Sequence, residues 1–288
     1  MANLPNFCLT ESHAEGLVAM SVLAMAELWC GVSYPGEGVI MAEAFRPVAV
    51  RPPDENRLLF RVRCMVDLQL LTIVRFLRRP LRACRGRLLD VGAGEAPWGD
   101  LLPEGIDYTA VDVDLSGEFG MRRKPGITYY DGVKLPFEDG SVDHVLCTEV
   151  LEHVPDPAAF LSDLHRVLRH DGTLILTVPW SARLHHLPHD YGRFTRFGLT
   201  TLLRGAGFSE LSIEERGTDM AVIANKLLVL TIRLLHPHYR WNCVWTWPMA
   251  AMLLPIVAAF LVVAHIALLL NAGSRDDPLG YGVIAVKN

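Results

Sequence analysis

Gly86-Arg-Leu-Leu-Asp-Val-Gly92-Ala-Gly94-Glu-Ala-Pro97-Trp-Gly99 reads as a short buried strand running into a glycine turn. An apolar run of this length, bounded by glycines, fits a strand covered on both faces. Glycines at 92 and 94 let the backbone pass close to a ligand. The same grammar continues downstream. Tyr108 to Asp112, Ile127 to Tyr130 and Val142 to Cys147 read as strands. From Asp156 to Arg169 the spacing is helical, with Phe160, Leu161, Leu164, Val167 and Leu168 on one face, Pro157 in the first turn and His170-Asp171-Gly172 as the stop. Thr173 to Val178 is a further strand closed by Pro179, Gly198 to Gly205 a helix and Phe208 to Glu214 a strand. Upstream, Arg57 to Arg79 predicts one cationic amphipathic helix. Strands alternating with helices predict an α/β fold, a parallel sheet with helices on both faces. Ligands on such sheets bind beyond the carboxyl ends of the strands.

The glycine turn alone does not separate ligand classes. Asp112 follows Gly92 by 20 residues, at the end of the next strand, where a carboxylate accepts both ribose hydroxyls; nicotinamide oxidoreductases share that feature, and Asp114 is the alternative position. Against them, Pro97 stands where the dinucleotide fingerprint has its third glycine. The discriminating block is Asp131-Gly-Val-Lys-Leu-Pro-Phe-Glu-Asp-Gly-Ser-Val-Asp143-His-Val-Leu-Cys-Thr148-Glu149-Val-Leu-Glu152-His153, followed by Leu164-His-Arg-Val-Leu-Arg-His-Asp-Gly172-Thr-Leu-Ile-Leu-Thr-Val-Pro179. It resembles the class I S-adenosylmethionine-dependent methyltransferases of the type 11 group, over residues 86–216 and again over 280–287. The resemblance implies a Rossmann-like sheet, S-adenosylmethionine as cofactor and methyl transfer. It implies that Asp90, Gly92 and Gly94 surround the methionine part, that Asp112 holds the ribose, that Asp131 and Gly132 line the adenine, and that Thr148 and Glu149 lie beside the cofactor. His153 matches a common family histidine and reads as structural. Two departures, Ala93 for a frequent cysteine and His170-Asp171 for the usual lysine and proline, leave cofactor binding intact. The short segment between Asp114 and Gly126 implies one reduced helix. A non-catalytic cofactor-binding scaffold is the remaining alternative, and the retained motif residues argue against it.

After the fifth strand comes Pro179-Trp-Ser-Ala-Arg-Leu-His185-His186-Leu-Pro-His189-Asp190-Tyr191-Gly-Arg193-Phe-Thr195. Histidine exchanges a proton near neutral pH, so His185, His186 and His189 are the candidate catalytic bases; the competing reading is a loop fixed by an Asp190–Arg193 pair. No metal is expected, because the histidine run lacks regular helical ligand spacing.

The 288 residues carry 27 Lys and Arg against 32 Asp and Glu, a formal charge of −5. That gives no general basic face for nucleic acid. Hydrophobic residues at 51% exclude a disordered chain. Six dispersed cysteines without a CxxC pair read as reduced cytosolic thiols. The apolar run Leu17 to Ala26 lacks a positive n-region and reads as a packed helix rather than a signal peptide; translation starting at Met41 is the other reading of this stretch. Met249 to Leu270 contains 22 residues without a formal charge, preceded by Tyr239, Trp241, Trp245 and Trp247 like an interfacial belt. Since 280–287 reads as the last strand of the sheet, both ends of the 217–279 insertion belong on one side of a membrane, as in a monotopic or re-entrant hairpin. A helical cap over an apolar cleft is the soluble alternative. The arginines at 75, 78, 79 and 82 recur at helical spacing and suit either anionic headgroups or a solvated face. The expected organisation is an N-terminal extension (1–56), a methyltransferase domain with its amphipathic helix (57–216), the membrane-associating insertion (217–279) and the last strand (280–288). The expected acceptor is a small molecule or lipid-linked compound, O-methylated at the cytoplasmic face of the membrane.

Overall fold

The computed structural model describes residues 48–237 and 242–288. The Leu17 to Ala26 run, Met41, Cys8, Cys30, Tyr239 and Trp241 lie outside them.

Seven strands form one sheet in the order β3-β2-β1-β4-β5-β7-β6. They are β1 (Arg87–Val91), β2 (Asp107–Val113), β3 (Ile127–Tyr130), β4 (Val142–Thr148), β5 (Leu168–Pro179), β6 (Phe208–Arg216) and β7 (Gly280–Lys287). All run parallel except β7, which is antiparallel to both β5 and β6. The chain steps outward from β1 through β2 to β3, then returns to the other side of β1 for β4, so the order reverses between β1 and β4. That reversal opens a crevice at their carboxyl ends.

The period of two sorts the core. Leu88, Leu146 and Ile175 face one way, onto Ile73, Val74 and Leu77 of α2 (Leu68–Ala83). Leu89, Val145 and Leu174 face the other way, onto Leu161 and Leu164 of α3 (Pro157–Val167) and Leu199 and Leu203 of α4 (Arg196–Gly205). Both faces are covered, which is why these strands read as unbroken apolar runs.

Three expectations are corrected. The predicted single helix from Arg57 to Arg79 is two, α1 (Arg57–Val66) and α2, broken at Asp67. Asp67 has extended backbone, donates its N–H to the Arg63 carbonyl and caps α2 by accepting from the Leu70 amide at 3.1 Å. A carboxylate cap competes with helix continuation here, with no Gly or Pro to announce it. Helix α2 also passes over Pro80 and ends at Ala83. Finally, α3 stops at Val167 and β5 starts at Leu168, so His170-Asp171-Gly172 forms an irregularity inside the strand pairing, with Asp171 at φ 61°. The segment after Asp114 is indeed shortened, to a 3-10 turn Asp114–Phe119, and Gly99–Leu101 is another.

Between β6 and β7 lies a helical hairpin, α5 (Asp219–Leu235) and α6 (Cys243–Leu270). Its two ends meet: the Asp219 amide donates to the Ser274 carbonyl at 3.0 Å, and the Ser274 amide donates to the Asp219 carboxylate at 3.1 Å. Small residues let the hairpin pack closely, with Ala221, Ala224 and Ala264 buried against Leu68 and Leu279. His265 bonds the free Met65 carbonyl at the end of α1 at 2.7 Å. Helix α6 has 28 residues, about 42 Å at 1.5 Å per residue. It buries Ala250, Val257, Ala264 and Ala267 and turns large apolar side chains outward, among them Trp245, Met252, Val262 and Leu269. Among the described residues it is the one helix long and apolar enough to cross a membrane.

Candidate active site

A cavity of about 620 Å3 opens at the carboxyl ends of β1, β2 and β4. Gly92, Gly94, Asp112, Asp131, Gly132, Thr148 and Glu149 all line it, and so do His185, His186 and His189. The backbone of the glycine turn is tightly set. Gly92 has φ 71°, and a Cβ there would stand 2.4 Å from the Val150 side chain. Asp112 holds the turn, accepting from the Gly94 amide at 2.8 Å and from the Val113 amide at 2.7 Å. Burial raises the Asp112 carboxyl above its ordinary range, against the pull of those two amides. Each of its oxygens keeps a second lone pair for a ligand hydroxyl. Asp131 is exposed and accepts from the Val133 amide at 2.9 Å. Thr148 accepts from the Trp98 indole at 3.2 Å.

Asp90 is placed differently from the other residues of its motif. It is fully buried, does not line the cavity, and accepts from the Tyr108 hydroxyl at 2.6 Å. Burial pushes its carboxyl up to about 7. Sitting one position before Val91 on a strand with both faces covered, it points into the packed layer rather than the crevice.

Glu149 adopts φ 53° at the end of β4, with its amide bonded to the Thr177 carbonyl. Its carboxylate is held at 2.7 Å by Arg216. The Arg216 side chain is 1% exposed and also donates to the Val178 and Tyr281 carbonyls and to the Thr72 hydroxyl. No local signal in the sequence marks this residue, because its partners come from four other segments. A second strap was likewise unread: Arg122 bonds both Glu95 beside the glycine turn and Glu55, and Lys124 bonds Glu55 at 2.7 Å.

The histidine loop is fixed by the expected ion pair. Arg193 forks onto both oxygens of Asp190, at 2.5 and 2.9 Å. Asp190 also accepts from the His185 amide at 2.9 Å. Burial works to raise Asp190, but hydrogen bonds from His185 and Arg193 outweigh it and hold it below the ordinary carboxylate range. The three predicted histidines divide. His185 and His186 gather with His153, with ring centroids 4.8 to 5.3 Å apart. His189 stands apart, its Nε2 3.2 Å from Glu118 and its Nδ1 3.4 Å from the Tyr191 hydroxyl. Burial pulls His153 down to about 4, helped by the charge of His185.

A family model described as a methyltransferase domain matches residues 89–176. A demethylmenaquinone methyltransferase from Beutenbergia cavernae is 36% identical over 104 residues, 33% of this chain and 43% of that protein. A probable S-adenosylmethionine-dependent methyltransferase from Mycolicibacterium smegmatis is 31% identical over 151 residues, 46% of this chain and 55% of that protein. An uncharacterized methyltransferase from Mycobacterium sp. strain JLS is 30% identical over 175 residues, 55% of this chain and 68% of that protein. The chain thus spans about half the length of the first two of these relatives. A parallel sheet with an antiparallel β7 and a glycine turn at its switch point defines a Rossmann-like nucleotide-binding protein. The chain belongs to the class I S-adenosylmethionine-dependent methyltransferases, in the type 11 group.

Proposed function

We propose that this chain O-methylates an apolar or lipid-linked acceptor at the cytoplasmic face of a membrane, with S-adenosylmethionine as donor. One observation carries the acceptor class: the apolar hairpin is itself a wall of the cofactor cavity, through Asn225 and Val229 of α5. A second cavity of about 520 Å3 adjoins it, walled by Leu59 and Phe60 of α1, Leu228 and Ile232 of α5 and Val257 and Leu261 of α6. Both cavities are lined by Val48, Ala49 and Arg63. The route proposed for the acceptor runs from the lipid along the hairpin, past the second cavity and its shared wall, to the cofactor.

In this reading Gly92 and Gly94 receive the methionine part, Asp112 the ribose, and Asp131 and Gly132 the adenine. Thr148 and Glu149 flank the cofactor, and Asp90 supports the floor from below through Tyr108. The bound cofactor supplies a methyl group already activated on a sulfonium. The protein aligns acceptor and methyl, excludes water and accepts the hydroxyl proton. We assign that proton to His189. With Nε2–H donated to Glu118, Nδ1 is the accepting atom, and the Tyr191 hydroxyl now lies where an acceptor hydroxyl would approach. The histidine loop supports oxygen as the methylated atom, because an imidazole can take the proton of a hydroxyl.

Asp112→Ala is expected to weaken S-adenosylhomocysteine binding about tenfold to a hundredfold, the ~1.5–3 kcal/mol of hydrogen bonds to a charged group. Calorimetry on the folded variant checks this, and unchanged affinity would move the ribose assignment to Asp114.

The hairpin is proposed to hold the protein in one leaflet, since its ends meet at the sheet edge. Burying each large apolar side chain in lipid gains ~1.5–3 kcal/mol, and α6 presents many outward. Washing membranes with concentrated salt should leave the protein bound, and detergent should release it. Release by salt alone would identify an electrostatic attachment, and the soluble-cap reading would replace the hairpin anchor.

A further inference from the structure

Three imidazoles from two separate segments meet in the cavity wall. His153 ends the 3-10 turn Leu151–His153 after β4, while His185 and His186 come from the loop after β5. One ring nitrogen from each lies within 4.8 Å of the other two. Two of the rings are already oriented from behind. His153 Nδ1 is 2.6 Å from the His189 carbonyl. His185 Nδ1 is 3.0 Å from the Arg183 carbonyl and 3.3 Å from the Asp190 carboxylate. Carbonyl and carboxylate partners put the proton on Nδ1 and leave the lone pair on Nε2, the arrangement that outer groups impose on metal-binding histidines.

A second, independent observation concerns charge. Glu152 is completely buried, and both of its oxygens lack a hydrogen-bond partner among the described residues. Its Oε1 is 3.7 Å from His153 Nε2. Arg193 of the loop is forked onto Asp190 and Arg216 onto Glu149 and backbone carbonyls, so neither guanidinium bonds Glu152. A buried ionised carboxylate without a partner is costly: it is either neutralised or placed beside a cation or a metal.

We propose that His153, His185 and His186 bind a divalent transition-metal ion, with Glu152 as its buried counter-charge and the open coordination position facing the cavity. All three histidines line that cavity. Three imidazoles suit zinc or a neighbouring first-row ion, whereas magnesium and calcium prefer oxygen ligands. Three protein ligands and one open position is the catalytic rather than the structural pattern. The rings need to close slightly, because zinc–nitrogen bonds of ~2.0–2.1 Å bring ligands nearer than they now stand. The sequence hides this site because its third member lies outside the histidine loop. What the ion does rests on the proposed methyl transfer: an acceptor hydroxyl in the open position is acidified, and His189, outside the three, takes its proton.

The test uses the full chain, purified in detergent without a histidine tag and stripped with a chelator. Zinc bound after dialysis is measured by elemental analysis, and cobalt(II) binding by its visible absorption. The expected result is one ion per chain, with affinity falling at least tenfold in His153→Gln, His185→Gln and His186→Gln and remaining in His189→Gln. Glu152→Gln should weaken binding by ~10–100-fold, as for other outer-shell groups. Circular dichroism and S-adenosylhomocysteine binding on the same samples report folding, and the two loop variants stand in should His153→Gln fail to fold. Absent metal binding in the parent, or unchanged binding in the folded histidine variants, overturns the inference. Retained S-adenosylhomocysteine binding in that case leaves the methyltransferase reading standing; metal binding without it does the reverse.

Discussion

His189→Ala should slow turnover by ~10²–10⁴-fold, the contribution of a positioned general base, with cofactor binding nearly intact. The expectation rests on geometry. His189 lines the cavity, its Nε2 is engaged by Glu118, and its Nδ1 lies 3.4 Å from the Tyr191 hydroxyl. Its ring partners among the described residues are Glu118, Tyr191 and Phe119 rather than Asp112 or the glycine turn, so binding of S-adenosylhomocysteine gives an internal control. Glu118→Gln should cause a smaller loss, since it orients the imidazole without accepting the proton. Full turnover in His189→Ala would show that alignment alone carries the reaction and would remove His189 from the mechanism.

Arg216→Leu should destabilise the chain by ~3–5 kcal/mol, because it strips the partner from an anchored carboxylate and leaves other acceptors unsatisfied. Arg216 is 1% exposed and ties Glu149 to the carbonyls of Val178 and Tyr281. It therefore joins β4, β5, β6 and β7 directly under the cavity. Thermal melting should report the loss, and Arg216→Lys should recover only part of it, because an ammonium cannot fork across these acceptors. A melting temperature unchanged in Arg216→Leu would mean that the Glu149 turn is held by its backbone bond to Thr177 alone.

The strands were legible because their signals are local. Short apolar runs, glycine turns and Pro179 bounded β1 to β4 and β6 to within a few residues, whereas β5 starts five residues before the expected Thr173. The cavity lining was legible for the same reason, since the motif residues sit at strand ends. Long-range choices were not. Asp67 ends one helix and begins another through its side chain, which the amphipathic pattern runs straight across. Asp90 has the right motif position but the wrong face of the sheet for the crevice. Arg216 and His153 gain meaning only when β6 and the turn after β4 arrive beside partners far away in the chain. The hairpin was legible as an apolar length; its place in the cofactor cavity wall was not, because that depends on how α5 packs.

The most direct test feeds the detergent-purified protein S-adenosylmethionine with a deuterated methyl group, together with a total lipid extract of its source cells, and follows the label by mass spectrometry. The account predicts a deuterated methyl on an oxygen of a species that partitions into organic solvent, with the label much reduced in Asp112→Ala and His189→Ala. Label confined to water-soluble acceptors, or binding of NAD without binding of S-adenosylhomocysteine, would contradict it.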